Sequence, residues 1–120
     1  MAEYKQYITQ VLENGNVMIS EDVIATIIEE SITEIEGMEG LAVKAVSEFA
    51  DRIGMNWGKG MKIALNENGT VGIDCNVLIK FGYSVIDVAK NAQQAITSAV
   101  EGACNVKVAN VNVNVCGIVR

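Results

Sequence analysis

At 120 residues, half of them hydrophobic, the chain suits one domain with one modest core and is too apolar to be disordered over most of its length. A formal charge of −6 opposes a nucleic-acid-binding surface, and three cysteines with no C-x-x-C pair and no histidine oppose a metal site. No apolar run approaches the ~18 residues of a membrane span, and the first residues carry no apolar signal core, so a cytoplasmic protein is expected, peripheral at the membrane or reaching it through a partner.

The charge is uneven. Residues 1–40 hold nine acids and one base, whereas residues 41–120 hold six acids and eight bases. The acidic excess belongs to the N-terminal third. Reduced, mostly buried thiols follow from the cysteine usage.

Residues 1–14 are read as a tail or a short docking helix, because Tyr4, Tyr7, Ile8, Val11 and Leu12 fall on one helical face. Asn14–Gly15 signals a turn, after which Val17 and Ile19 alternate as a short strand. Ser20 is placed to cap a helix, with Glu21 and Asp22 at its positive end. Val23, Ile24, Ile27, Ile28, Ile32 and Ile35 supply the apolar stripe. Glu29, Glu30, Glu34 and Glu36 take the wet face, and Gly37 ends the helix.

Val43, Val46, Phe49, Ala50 and Ile53 are spaced for a short second helix. Gly54, Gly58 and Gly60 then flank Trp57 in a flexible connector. Met61, Ile63 and Leu65 alternate as a strand, and residues 66–69 (NENG) form a hairpin loop.

Val71, Ile73, Cys75, Val77 and Ile79 fall at every second position, the period of a half-buried strand. Ser84, with Asp87 three residues on, opens a long helix. Val85, Val88, Ala89, Ala92, Ala95, Ile96, Ala99 and Val100 line one stripe of it, and Gly102 is read as its stop. In the last strand Val106 and Val108 share one parity, and Val111, Val113 and Val115 the other. Either a bulge lies near Ala109–Asn110 or both faces are partly buried. The bulge is preferred, because Asn110, Asn112 and Asn114 then share the polar face. A helix between the last two strands makes them parallel, as neighbours or with one strand between.

The resulting order is β-α-(α)-β-β-α-β. It describes an α+β fold in which two main helices pack on one face of a small mixed sheet, with residues 15–120 as a single domain.

Catalytic chemistry finds little support. No histidine serves as a base near neutral pH, and Ser20 and Ser84 are explained as caps. The carboxylates from Glu29 to Glu39 read as a solvated acidic face or, more sharply, as a divalent-ion or partner-docking patch, the docking residues being Glu29, Glu30 and Glu34. Asp74 reads as a lone functional carboxylate or, preferred, as a cross-strand partner to a lysine. The segment Gly54–Gly60 does not match the phosphate-binding pattern G-x-x-x-x-G-K-[ST]. Trp57 either packs over the core or anchors a partner or a membrane interface. The row Asn110, Asn112 and Asn114, with Val113 between, is a solvated strand face or a self-association edge. The absence of charge between Lys107 and Arg120 favours docking there.

Four stretches in this order resemble the alkaline shock protein family of bacteria, also called the envelope stress response family: GNVMISEDVIA at 15–25, IEGM at 35–38, VGIDCNVLIKFGYSVI at 71–86 and VNVNVCGI at 111–118. The resemblance implies a cytoplasmic, non-enzymatic protein of cell-envelope homeostasis, with no cofactor. It implies homo-oligomers and a protein partner, in some members a small integral-membrane anchor. It transfers no catalytic residues. The expected function is a structural or adaptor protein that self-associates and docks at the envelope. The alternative is a regulatory module of a cytoplasmic enzyme handling lipid precursors.

Overall fold

The computed structural model describes residues 7–42, 60–66 and 68–120. The expected short helix over 43–53 and Trp57 lie outside the described residues. Within them the elements are β1 (Tyr7–Leu12), β2 (Gly15–Ser20), α1 (Glu21–Thr33), β3 (Met38–Leu41), β4 (Met61–Leu65), β5 (Thr70–Lys80), α2 (Val85–Cys104) and β6 (Lys107–Val119). The α+β class and the element order agree with expectation, with β1 and β3 as further strands.

β5 is the spine of the molecule. β6 runs parallel along its full length from Thr70↔Lys107 to Lys80↔Val119. Its other edge is shared by β4, antiparallel to Val71–Cys75, and β3, antiparallel to Val77–Ile79. Between those two, Asn76 bridges the gap with both backbone groups: its N–H donates to the Gly60 carbonyl (2.8 Å) and its carbonyl accepts from Ala42 N–H (2.7 Å). The β4–β5 hairpin closes where expected, with Asn66 N–H donating to the Thr70 carbonyl and Asn68 Oδ1 accepting from the Thr70 hydroxyl.

The core lies between β5 and the helices. Val71, Ile73, Cys75, Val77 and Ile79 are all fully buried, facing Ile24, Ile28 and Ile32 of α1 and Ala92, Ile96 and Val100 of α2. Burying one such aliphatic side chain contributes roughly 1.5–3 kcal/mol. Val23 departs from the expected stripe: it is exposed, and Ala25 is buried in its stead.

The helix boundaries correct three expectations. Ser84 caps α2 as expected, its Oγ accepting from Asp87 N–H at 3.4 Å. Ser20 occupies the N-cap position of α1 with extended backbone, but its side chain makes no cap bond. Gly102 does not stop α2. The helix runs on to Cys104, and Asn105 turns the chain at φ 54°, a left-handed conformation that asparagine tolerates. α1 ends at Thr33, before Gly37. Gly37 instead allows a close approach: at φ 87°, a Cβ there would sit 2.7 Å from the Tyr83 ring.

The N-terminal segment is also corrected. Tyr7–Leu12 is a strand rather than a tail or docking helix, paired antiparallel with β2 from Tyr7↔Ser20 to Leu12↔Gly15. The β-branched Ile8, Thr9 and Val11 favour extension, and pairing across a two-residue turn removes the need for an isolated helix. The hairpin places Ile8 in the core cluster, and Gln10 Nε2 donates to the Asn105 carbonyl at 3.2 Å.

Candidate interaction surface

The bulge expected near Ala109 is present. Val71 pairs with Val108 but Gly72 pairs with Asn110, so Ala109 is the extra residue. The shift turns Asn110, Asn112 and Asn114 onto the sheet face away from the helices, opposite Gly72, Asp74 and Asn76. There the side chains join across the strands. Asn112 Nδ2 donates to Asp74 Oδ1 at 2.7 Å, and Asn114 Nδ2 donates to Asn76 Oδ1 at 3.1 Å. Asn110 leans over Gly72, where a Cβ would meet its Oδ1 at 3.2 Å. Asp74 also sits opposite Lys62 in the ladder, but its hydrogen-bond partner is the asparagine. Asn76 is nearly buried, and its side chain accepts one of these links while its backbone pairs with Gly60 and Ala42, so its burial is compensated.

Val113 does not share that face. It is half-buried against the core opposite Cys75, so the structure separates it from the three asparagines. A second bulge at Cys116, between Val77↔Val115 and Leu78↔Gly117, lies beyond the expected pattern. It exposes the Cys116 thiol and sets Gly117 against Leu78, whose Cδ2 would be 3.2 Å from a Cβ at that position.

Among the described residues β6 pairs on one edge only, and its other edge is treated differently along its length. In the first half, α2 reaches over it. The Val108 N–H donates to Glu101 Oε2 at 2.9 Å, and Gln93 Nε2 donates to the Val111 carbonyl at 3.0 Å. These side chains satisfy backbone groups that would otherwise template another strand. Alternation along a strand turns the backbone groups of Val113 and Val115 the same way as those of Val111. No such side-chain cap reaches them among the described residues. The sequence reading missed Gln93 and Glu101. Their eight-residue spacing puts them on one helix face, but nothing local says that a strand edge lies beneath.

The acidic residues form a separate surface. Glu30 and Glu34 are exposed and Glu29 is half-buried, on α1 or at its C-terminal cap. They are not brought together with the β6 asparagines. Among the described residues no group of three histidine, cysteine or acidic side chains is arranged to hold a metal, and no helix is long and apolar enough to cross a membrane. Burial pushes the Cys75 thiol up to about 12, with a smaller push from the neighbouring Asp74 charge. Burial also raises Cys104. Both are placed as inert core thiols.

Comparison with known proteins agrees with this architecture. The chain is 31% identical over 105 residues to Spy1535 of Streptococcus pyogenes serotype M6, covering 88% of this chain and 80% of that protein. It is 28% identical over 105 residues to YqhY of Bacillus subtilis strain 168, covering 87% and 77%. Among solved structures, a MamM-CTD variant aligns with a TM-score of 0.50 at 12% identity, covering 81% of this chain and 96% of its own; that likeness concerns the fold alone. The family model for alkaline shock protein 23, described by a cell envelope-related function, matches residues 9–120. With nearly the whole length matched, the chain belongs to the alkaline shock protein 23 family, whose function is related to the cell envelope.

Proposed function

We propose that this protein is a non-enzymatic structural or adaptor protein of the bacterial envelope stress response, acting in the cytoplasm at the inner face of the membrane. It self-associates through the uncapped half of β6 and docks to a membrane-anchored protein partner. The observation that carries the reading is the strand edge from Asn112 to Val119. It is valine-rich, free of charged residues and uncapped among the described residues, while the half before it is capped by Gln93 and Glu101. Natural sheets guard exposed edges with charges, so an unguarded stretch beside a guarded one suits the addition of a strand.

The test is a pair of lysines on that stretch, Asn112→Lys with Cys116→Lys. Both positions are exposed, and a lysine at 112 retains a donor for Asp74. The expected result is a smaller oligomer by light scattering after gel filtration, with the circular dichroism spectrum unchanged. An unchanged oligomer size would remove this edge from the reading.

A second reading rests on the exposed carboxylates of Glu30 and Glu34. They make no ion pair among the described residues and offer a docking face for a basic partner, such as an enzyme of lipid-precursor metabolism. Reversing both to lysine weakens such binding, and wild-type affinity falls in high salt. Affinity indifferent to both changes would exclude the face.

A further inference from the structure

We propose that the end of the sheet around Phe81 is a second contact surface, whose occupant is the same surface of another copy of this chain across a twofold axis. The place is distinct from the uncapped stretch of β6. β5 ends at Lys80, the chain turns through Phe81, Gly82 and Tyr83, and Ser84 caps α2. Phe81 is 63% exposed, Ile86 62%, Ile118 47% and Tyr83 44%. Of these, Phe81 and Tyr83 line one groove at this end of the sheet, an exposed aromatic pair of the kind that marks a contact site.

The patch is held in shape. Phe81 N–H donates to the Val119 carbonyl at 2.7 Å, and Lys80 N–H donates to the Gly37 carbonyl at 2.8 Å. Tyr83 lies so close to Gly37 that a Cβ there would come within 2.7 Å of its ring. Little ordering cost therefore remains to be met on binding. Beside the rings is a groove of about 390 Å³ lined by Glu39, Lys80, Phe81, Tyr83, Val119 and Arg120.

The charges of that groove identify the occupant. Arg120 lies over the Phe81 ring, 5.0 Å from its centroid. Glu39 and Lys80 line the same groove, yet neither makes an ion pair among the described residues. A single-sign partner meets an unfavourable charge here: an anionic bilayer meets Glu39, and a basic peptide meets Lys80 and Arg120. A second copy meets neither problem. Twofold symmetry sets Glu39 of one protomer against Lys80 and Arg120 of the other, twice, while the apolar side chains bury one another between. With the β6 edge also engaged, each protomer carries two different contact surfaces, so association extends beyond a closed dimer.

The experiment is a charge complementation read by sedimentation velocity, in the Asn112→Lys/Cys116→Lys background, so that the strand edge and this patch are scored apart. Glu39→Lys makes the groove wholly positive, and Lys80→Glu with Arg120→Glu makes it wholly negative. Each variant alone raises the dimer dissociation constant about tenfold or more, and an equimolar mixture of the two recovers association as a heterodimer. Phe81→Ser gives a loss of similar size without a change in melting temperature, because the ring is exposed. The proposal is overturned if the single-sign variants associate as before, or if their mixture fails to recover. Sedimentation with phosphatidylglycerol vesicles that is lost on Phe81→Ser, with the dimer constant unmoved, would assign the patch to lipid and overturn it as well.

Discussion

The two faces of β5 teach different things about this fold. One face, Val71, Ile73, Cys75, Val77 and Ile79, is sealed beneath both helices and is wholly apolar. The other, Gly72, Asp74 and Asn76, meets Asn110, Asn112 and Asn114 in a row of polar contacts. The first face supplies most of the stability. The second supplies less, through cross-strand side-chain bonds that favour one register of β6, while α2 decides which half of that strand's edge is capped. The contrast is sharpest for adjacent residues: Ile73 has lost all contact with water, while Asp74 points out to accept from an asparagine.

Substitutions on the two faces should therefore differ in size. Ile73→Ala is expected to destabilise by about 2–5 kcal/mol in urea denaturation, because it opens a cavity beneath both helices. A loss under 1 kcal/mol would mean that the helix-covered face is not the core. Next comes alkaline pH. The unfolded Cys75 thiol titrates near 9.0, whereas the folded one holds its proton to about 12. The contribution of this group should be flat below pH 9 and then fall between 9 and 12, by up to about 1.4 kcal/mol per pH unit. Cys75→Val should flatten that part of the pH profile, and a profile equally steep without the thiol would assign the loss elsewhere.

The polar face should respond less. Asn114→Ala removes the donor to Asn76 Oδ1 and is expected to cost about 1–2 kcal/mol, since Asn76 is nearly buried. Asp74→Ala, at a more exposed link, should cost less than about 1 kcal/mol by the same assay. If Asp74→Ala proved as damaging as Ile73→Ala, the two faces would not be the distinct layers described here.

Much of this contrast is legible in the sequence because it is written as period. The alternation from Val71 to Ile79 marks the buried face residue by residue. The parity break between Val108 and Val111 reveals the Ala109 bulge. Only the polar row's preference for one face was needed to choose it over burial on both sides. The second bulge at Cys116 was hidden, because Val111, Val113 and Val115 continue one alternation up to it, and Gly117 is the sole hint that the backbones come close there. Of the candidate site, the asparagine row was legible, whereas the placement of Val113 against the core depended on which side of the sheet the helices took.

What the sequence determined by itself was local: the strand and helix periods, the Ser84 cap, the hairpin at residues 66–69 and the family stretches at 15–25, 35–38, 71–86 and 111–118. Each depends on residues within one or two turns of one another, and their preferences act before any distant contact forms. Tertiary structure alone decided the rest. It made Tyr7–Leu12 a strand and carried α2 past Gly102 to Asn105. It laid Gln93 and Glu101 over the β6 edge, and it gathered Glu39, Lys80, Phe81 and Arg120 at one end of the sheet. Those outcomes depend on partners far apart in the chain, whose meeting is set by how the layers pack rather than by the spacing of neighbouring residues.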